Sequence, residues 1–146
     1  MGDMFGTGLD SMDAERAFAH AVRSRRRAAL LRRLRGGLAA CAGRLRVYEH
    51  PRSPGPGAGV REIPLEAIEG TLEPSRAKLF DGCFRPAAAA QGRWQRVWLA
   101  EQRGAVLPPI SVVAVGRRYA VSDGHHRVSV ARARGARTID AVVEAA

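Results

Sequence analysis

The chain has 146 residues, 46% apolar and 26% charged, with 24 Lys+Arg against 14 Asp+Glu and a net charge of +10. That length fits one domain with an extension around one core; no run approaches the ~20 apolar residues of a membrane span, and no basic start followed by an apolar block reads as a secretory signal. Two cysteines, Cys41 and Cys83, exclude a disulfide framework or a four-cysteine zinc site, so a cytoplasmic protein with reduced thiols and no membrane partner is expected.

Residues 1–10 (MGDMFGTGLD) are Gly-rich and read as loose. Asp10 or Ser11 then caps a helix over Met12–Leu34, with Asp13 and Glu15 in its first turn and Gly36-Gly37 as its stop. Its apolar residues divide between two sides. Phe18, Ala21, Val22 and Ala29 fall on one, and Leu30, Leu31, Leu34 and Leu38 on the other, which predicts a bend near Ser24 or a helix held on two faces. From Arg23 to Arg35 there are arginines and no acid. This stretch is either a solvated face or a patch for DNA or another polyanion, with Arg23, Arg25, Arg26, Arg27, Arg32 and Arg33 as the candidate nucleic-acid contacts. Aromatic residues are not interleaved with them, which argues against a platform for stacked single strands. Lys78 is the only lysine, so the cationic groups are almost all guanidinium forks suited to phosphate.

Leu45–Tyr48 reads as a short strand. The proline- and glycine-rich HPRSPGPGAG (50–59) then marks a linker between a basic helical arm (1–49) and a compact part (60–146). Val60–Ile63 is a short strand stopped by Pro64, Leu65 and Ile68 belong to a turn or short helix, and 71–86 is irregular. Trp94, Val97 and Trp98 recur at helical spacing up to Gly104, with the tryptophans, Phe80 and Phe84 assigned to the core. Pro108-Pro109 leads into the β-branched strand ISVVAV. Gly116-Arg117-Arg118 turns it back into Tyr119–Val121, and a helix over His125–Arg134, Gly135 and a strand over Thr138–Val143 complete the chain. The fold class is therefore α/β (α+β), a small mixed sheet preceded by a basic helical arm.

The segment with chemistry is SDGHHRVSVAR (122–132). Asp123-Gly124 stands at a strand-to-helix corner, where glycine lets a bound group approach the backbone and the following amides are free donors at a helix start. Arg127, one turn in, can fork onto a phosphate, and Arg76 in the EPSR turn can reach the same group. His125 and His126 can donate hydrogen bonds or accept protons; Asp123 can cap the helix or hold a divalent ion. The plain structural readings are an N-cap aspartate, a turn glycine, and histidines that fill the core or the surface. Cys83, beside Asp81 and Arg85, reads as a buried thiol, and spacing assigns no role to His20 or His50.

LPPISVVAVGRRYAVSDGHHRVSVARARGARTIDAVV, together with IPLEAI (63–68) and EPSR (73–76), resembles the ParB/sulfiredoxin superfamily over residues 60–146. The resemblance implies a small α/β domain that holds a nucleoside triphosphate at the corner, with Ser122, Asp123, Gly124, His125, His126, Arg127 and Arg76 as cofactor contacts. In ParB proteins the nucleotide is CTP with magnesium, it gates a clamp on DNA, and the corner reads Gly-Glu-Arg-Arg. Here Gly124 and Arg127 match and His125 replaces the acid. In sulfiredoxins the corner reads Gly-Gly-Cys-His-Arg and its cysteine attacks a sulfinate activated by ATP. Gly124, His126 and Arg127 match, but His125 replaces the cysteine, so that chemistry is not expected. The free-serine kinases of the superfamily share an Asp-Gly-x-x-Arg corner and use a catalytic glutamate, for which Glu69 and Glu73 both remain open. The implied functions are a nucleotide-gated switch or small phosphotransferase using CTP or ATP with Mg2+. Asp123 would be the metal ligand, with Glu73, Asp123, His125 and His126 as the catalytic candidates. The alternatives are a DNA-associated partitioning-like protein, or a domain that keeps the fold without the chemistry.

Overall fold

The computed structural model describes residues 6–35, 43–51 and 59–144. The loose start before residue 6, the Gly36-Gly37 stop, Leu38, Cys41 and the linker residues 52–58 lie outside them. Helix α1 spans Gly6–Leu34, followed by strands β1 (Arg46–Val47), β2 (Val60–Pro64) and β3 (Ile68–Thr71). Then come the one-turn helix α2 (Pro74–Ala77), helix α3 (Gln91–Gln102), the hairpin β4 (Ile110–Val115) and β5 (Arg118–Asp123), helix α4 (His125–Ala133) and strand β6 (Thr138–Glu144).

The six strands form one mixed sheet in the order β1-β3-β5-β4-β6-β2. β1, β3 and β5 run parallel, β5 and β4 are antiparallel, β4 and β6 parallel, and β6 and β2 antiparallel. The β4–β5 hairpin closes through Gly116, whose φ of 60° suits a residue without a side chain. The expected α/β class with a mixed sheet is what the chain adopts. The predicted β3 region is corrected, because the turn is confined to Leu65–Ala67 and Ile68–Thr71 joins the sheet. Pro64 does not stop its ladder either. As the last residue of β2, an edge strand, it pairs with Thr138 of β6, and there the missing N–H is tolerated.

Helices α1, α3 and α4 pack against one another and onto one face of the sheet. Ile110, Val112 and Val121 project into this layer to meet Phe18, Trp94 and Val128. Alternation sends Val113 and Ala120 to the other face, beside Leu72 and Tyr48. Trp94 is fully buried, with Phe18 edge-on at 5.4 Å and its indole N–H donating to Ser129 Oγ at 2.9 Å. Trp94→Phe is expected to lower stability by about 1–3 kcal/mol in urea denaturation, because the Ser129 hydroxyl loses its partner inside the protein. A loss below ~0.5 kcal/mol would show that this bond contributes nothing.

The arm does not stand apart from the compact part. Ala14, Phe18 and Ala21 are buried core residues, and β1 extends the sheet. α1 begins at Gly6, so Asp10 and Ser11 lie inside it rather than capping it. Among the described residues the core packs on the Phe18 side of the helix, while Leu30, Leu31 and Leu34 are exposed. The expected reduced thiol is also overturned: Cys83 is disulfide-bonded. Among the described residues no helix is long and apolar enough to cross a membrane.

Candidate functional site

β5 ends at Asp123, α4 begins at His125, and Gly124 between them adopts φ 105° and ψ 25°. A Cβ at Gly124 would lie 2.5 Å from Ile110 Cγ2 and 2.9 Å from Ile110 Cβ, so the corner needs glycine for both conformation and space. No side chain caps α4. The N-cap reading of Asp123 is therefore corrected: its Oδ2 lies 3.1 Å from Arg127 Nη2, and Gly124 holds the cap position. The Val128 N–H bonds to the Gly124 carbonyl, leaving the preceding first-turn amides without intrahelical acceptors and with the positive end of the helix dipole.

These amides border a cleft of about 450 Å³. Glu73, Arg76, Arg93 and the continuous run Ser122–Arg127 line it, so of the residues the sequence nominated for catalysis or cofactor binding all but Glu69 meet in one place. The structure also separates the two candidate glutamates. Glu73 lines the cleft, whereas Glu69 accepts the Tyr48 hydroxyl at 2.6 Å, lies 3.8 Å from Arg118 Nε, and is not among the lining residues.

The nominated residues do different things there. Arg127 donates from Nη1 to the Pro108 and Pro109 carbonyls and from Nη2 to Asp123, so its fork fastens the 108–109 loop to the corner. The expected phosphate fork is already occupied. The Ser122 hydroxyl donates to the Ser111 carbonyl at 3.1 Å. His125 is buried over Phe80 and Phe84 with Nε2 2.6 Å from Thr71 Oγ1, tying the end of β3 to α4. Thr71 Oγ1 in turn accepts the Glu73 N–H at 2.9 Å and so sets the start of the Glu73 turn.

His126 is 6% exposed, sits edge-on to Phe80 at 5.2 Å, lines the cleft, and has no hydrogen-bond partner among the described residues. Burial, then the charges of Arg93, Arg76 and Arg96, lower its pKa to about 4. Burial, then Arg76 and His126, lower that of His125 to about 4 as well, against an opposing pull from Asp123. Both rings are neutral at pH 7.

Arg76 and Arg93 are the cations left to act on a ligand. Both line the cleft, and neither is within ion-pair distance of a carboxylate among the described residues. α3 places Arg93 there, beside the inward-facing Trp94. Sequence reasoning missed His50, whose Nε2 lies 3.5 Å from Glu73 Oε1. Among the described residues no cluster of three or more His, Cys, Asp or Glu can hold a metal by itself. Asp123 and Glu73 do put two carboxylates on the cleft, a donor set that suits Mg2+ carried in on phosphates, since that ion needs only one or two protein carboxylates.

The α1 arginines divide as well. Arg25, Arg26 and Arg32 line a second cleft, which Arg23, Arg27 and Arg33 do not.

No family model matches the chain, and no curated protein matches it. Among solved structures, the crystal structure of sulfiredoxin from Arabidopsis thaliana is similar at 22% sequence identity and a TM-score of 0.46, over 60% of this chain and 86% of that one. The chemistry assigned to the cleft therefore rests on its own residues.

Proposed function

We propose that this chain binds the phosphates of a nucleoside triphosphate, ATP or CTP with Mg2+, in the cleft at the N-terminus of α4. The observation that carries this reading is the convergence of Arg76 and Arg93 on the uncapped first turn of α4 and on His126, with no carboxylate paired to either arginine and no hydrogen-bond partner for His126 among the described residues. Donors and positive charge then face a polyphosphate from three sides. Asp123 and Glu73 would hold the magnesium ion, whose contribution is charge neutralisation. Arg127 and Gly124 act by shaping the corner. Neutral His126 offers one hydrogen bond to a phosphate or sugar oxygen.

A thermal-shift screen of the four nucleoside triphosphates, each with and without Mg2+, tests this. At 100 times the dissociation constant a ligand adds about 2.7 kcal/mol, a rise of several degrees for a domain of this size. Arg76→Ala and Arg93→Ala are each expected to remove most of the rise. Arg118→Ala, outside the cleft, is expected to leave it intact. Absence of any shift at millimolar nucleotide defeats the proposal and leaves a fold without this chemistry.

The bound nucleotide can act as a gate or as a phosphate donor. Glu73 favours transfer to a small hydroxyl, because it places a carboxylate on the cleft to accept the hydroxyl proton. Chromatography of the same incubated samples separates the two, since a gate returns the nucleotide unchanged.

A further inference from the structure

We propose that the cleft between the C-terminal half of α1, β1 and the end of α2 seats the phosphodiester backbone of duplex DNA. It has a volume of about 630 Å³ and is distinct from the nucleotide cleft. Arg25, Arg26 and Arg32 enter from α1, Arg44 from the residue before Leu45 and β1, and Lys78 from the end of α2. Five cations from three parts of the chain thus share one concave surface, although only three of them belong to the basic run in the sequence.

None of the five has an ion-pair partner among the described residues. The one acid lining the cleft, Asp81, is 3% exposed and already engaged. It accepts the Cys83 and Arg85 N–H groups and pairs with Arg85 at 3.2 Å. Arg25 lines the cleft, and its Nε is buried with no hydrogen-bond partner among the described residues. The Arg32 guanidinium lies against Gly43, where a Cβ would sit 2.8 Å from its Nη1.

The spacing favours nucleic acid over an acidic polypeptide. Arg25 and Arg32 are seven residues apart, about 10 Å along a helix, and one DNA strand presents about three phosphates over that length. A peptide reaches this charge density only as an unbroken acidic run. The one aromatic side chain lining the cleft, Phe80, is 1% exposed, so bases have nothing to stack on and contact is with the backbone.

The test is fluorescence anisotropy with a labelled duplex of about 20 base pairs and arbitrary sequence, titrated at several salt concentrations. Five phosphate contacts predict that log K falls with log salt at a slope of about −4.5. Replacing Arg25, Arg26 and Arg32 together with alanine is expected to weaken binding at least ~10-fold and to flatten the slope to about −2. Replacing Arg23, Arg27 and Arg33 removes the same charge from the same helix and is expected to change affinity less than ~3-fold, with the slope retained. Lys78→Ala leaves α1 untouched and is expected to flatten the slope by about 1, which keeps the proposal open to refutation should the triple variant fail to fold. Equal losses from the two triple variants, no binding at ~50 mM salt, or displacement of the duplex by polyglutamate at equal charge would each overturn it.

Discussion

Gly124→Val is expected to lower the melting temperature by roughly 6–15 °C and to abolish any nucleotide-dependent rise. Two separate costs meet at this position. The φ of 105° puts a β-branched residue in left-handed space, at about 1–2 kcal/mol. The new Cβ also arrives 2.5 Å from Ile110 Cγ2, and Ile110 is fully buried and has nowhere to retreat, which adds about 1–3 kcal/mol of overpacking. The sum, about 2–5 kcal/mol at about 3 °C per kcal/mol, gives the expected drop. Relief of the clash moves the first turn of α4 and Arg127 Nη2, 3.1 Å from the same Cβ, so the donors facing the ligand move with it. Gly116→Asn separates the two costs. Gly116 has φ 60° and nothing within 4 Å of its Cβ, and asparagine tolerates that conformation, so a change of less than ~1 kcal/mol is expected. A Gly124→Val melting temperature within about 3 °C of the wild type would show that β5 and α4 can separate without cost.

What could be read from the sequence, and what could not, follows the range of the interactions. The β4–β5 hairpin was legible because its β-branched run and the glycine turn at 116 are local signals. The corner was legible for the same reason, since a strand ending in Asp123-Gly124 before a helical run can hardly be anything else. β3 was not. Its hydrogen bonds come from β1 and from β5, both distant in sequence, and Gly70 is there because the Tyr48 ring covers it. The packing of α1 was hidden likewise, because Phe18 finds its partner in Trp94 across the proline-rich stretch. At the site, residue types were legible but their use was not. Arg127 looked like a phosphate ligand until the Pro108 and Pro109 carbonyls proved to hold it. Burial of both adjacent histidines depends on Phe80 and Phe84, which an irregular loop places beneath them.

That burial makes acid stability the second large effect. His125 and His126 are held neutral in the folded state, with pKa lowered from 6.5 to about 4, and the unfolded chain restores the ordinary value. Below 6.5 the unfolded chain takes up protons first, so stability is complete above pH 6.5 and falls as the pH drops toward 4. Below that, both states are protonated and these two groups add no further slope. Each histidine corresponds to about 3 kcal/mol over the window, and because part of the shift in His125 is repulsion from His126, the pair together contributes about 5 kcal/mol. Urea denaturation at pH 7.5, 5.5 and 4.5 is expected to show the decline. His126→Phe, which keeps the packing against Phe80 and removes one titrating ring, is expected to recover about half of it. Asp123 opposes the shift in His125, and the half-buried Glu101 has a raised pKa, but neither is altered in His126→Phe, so the difference between the two proteins reports the His126 imidazole together with its repulsion of His125. Parallel pH profiles for the two proteins would mean that the rings protonate inside the fold. His126 would then face the cleft as a cation, and the hydrogen bond assigned to its neutral form would have to be replaced by a direct charge on the phosphate.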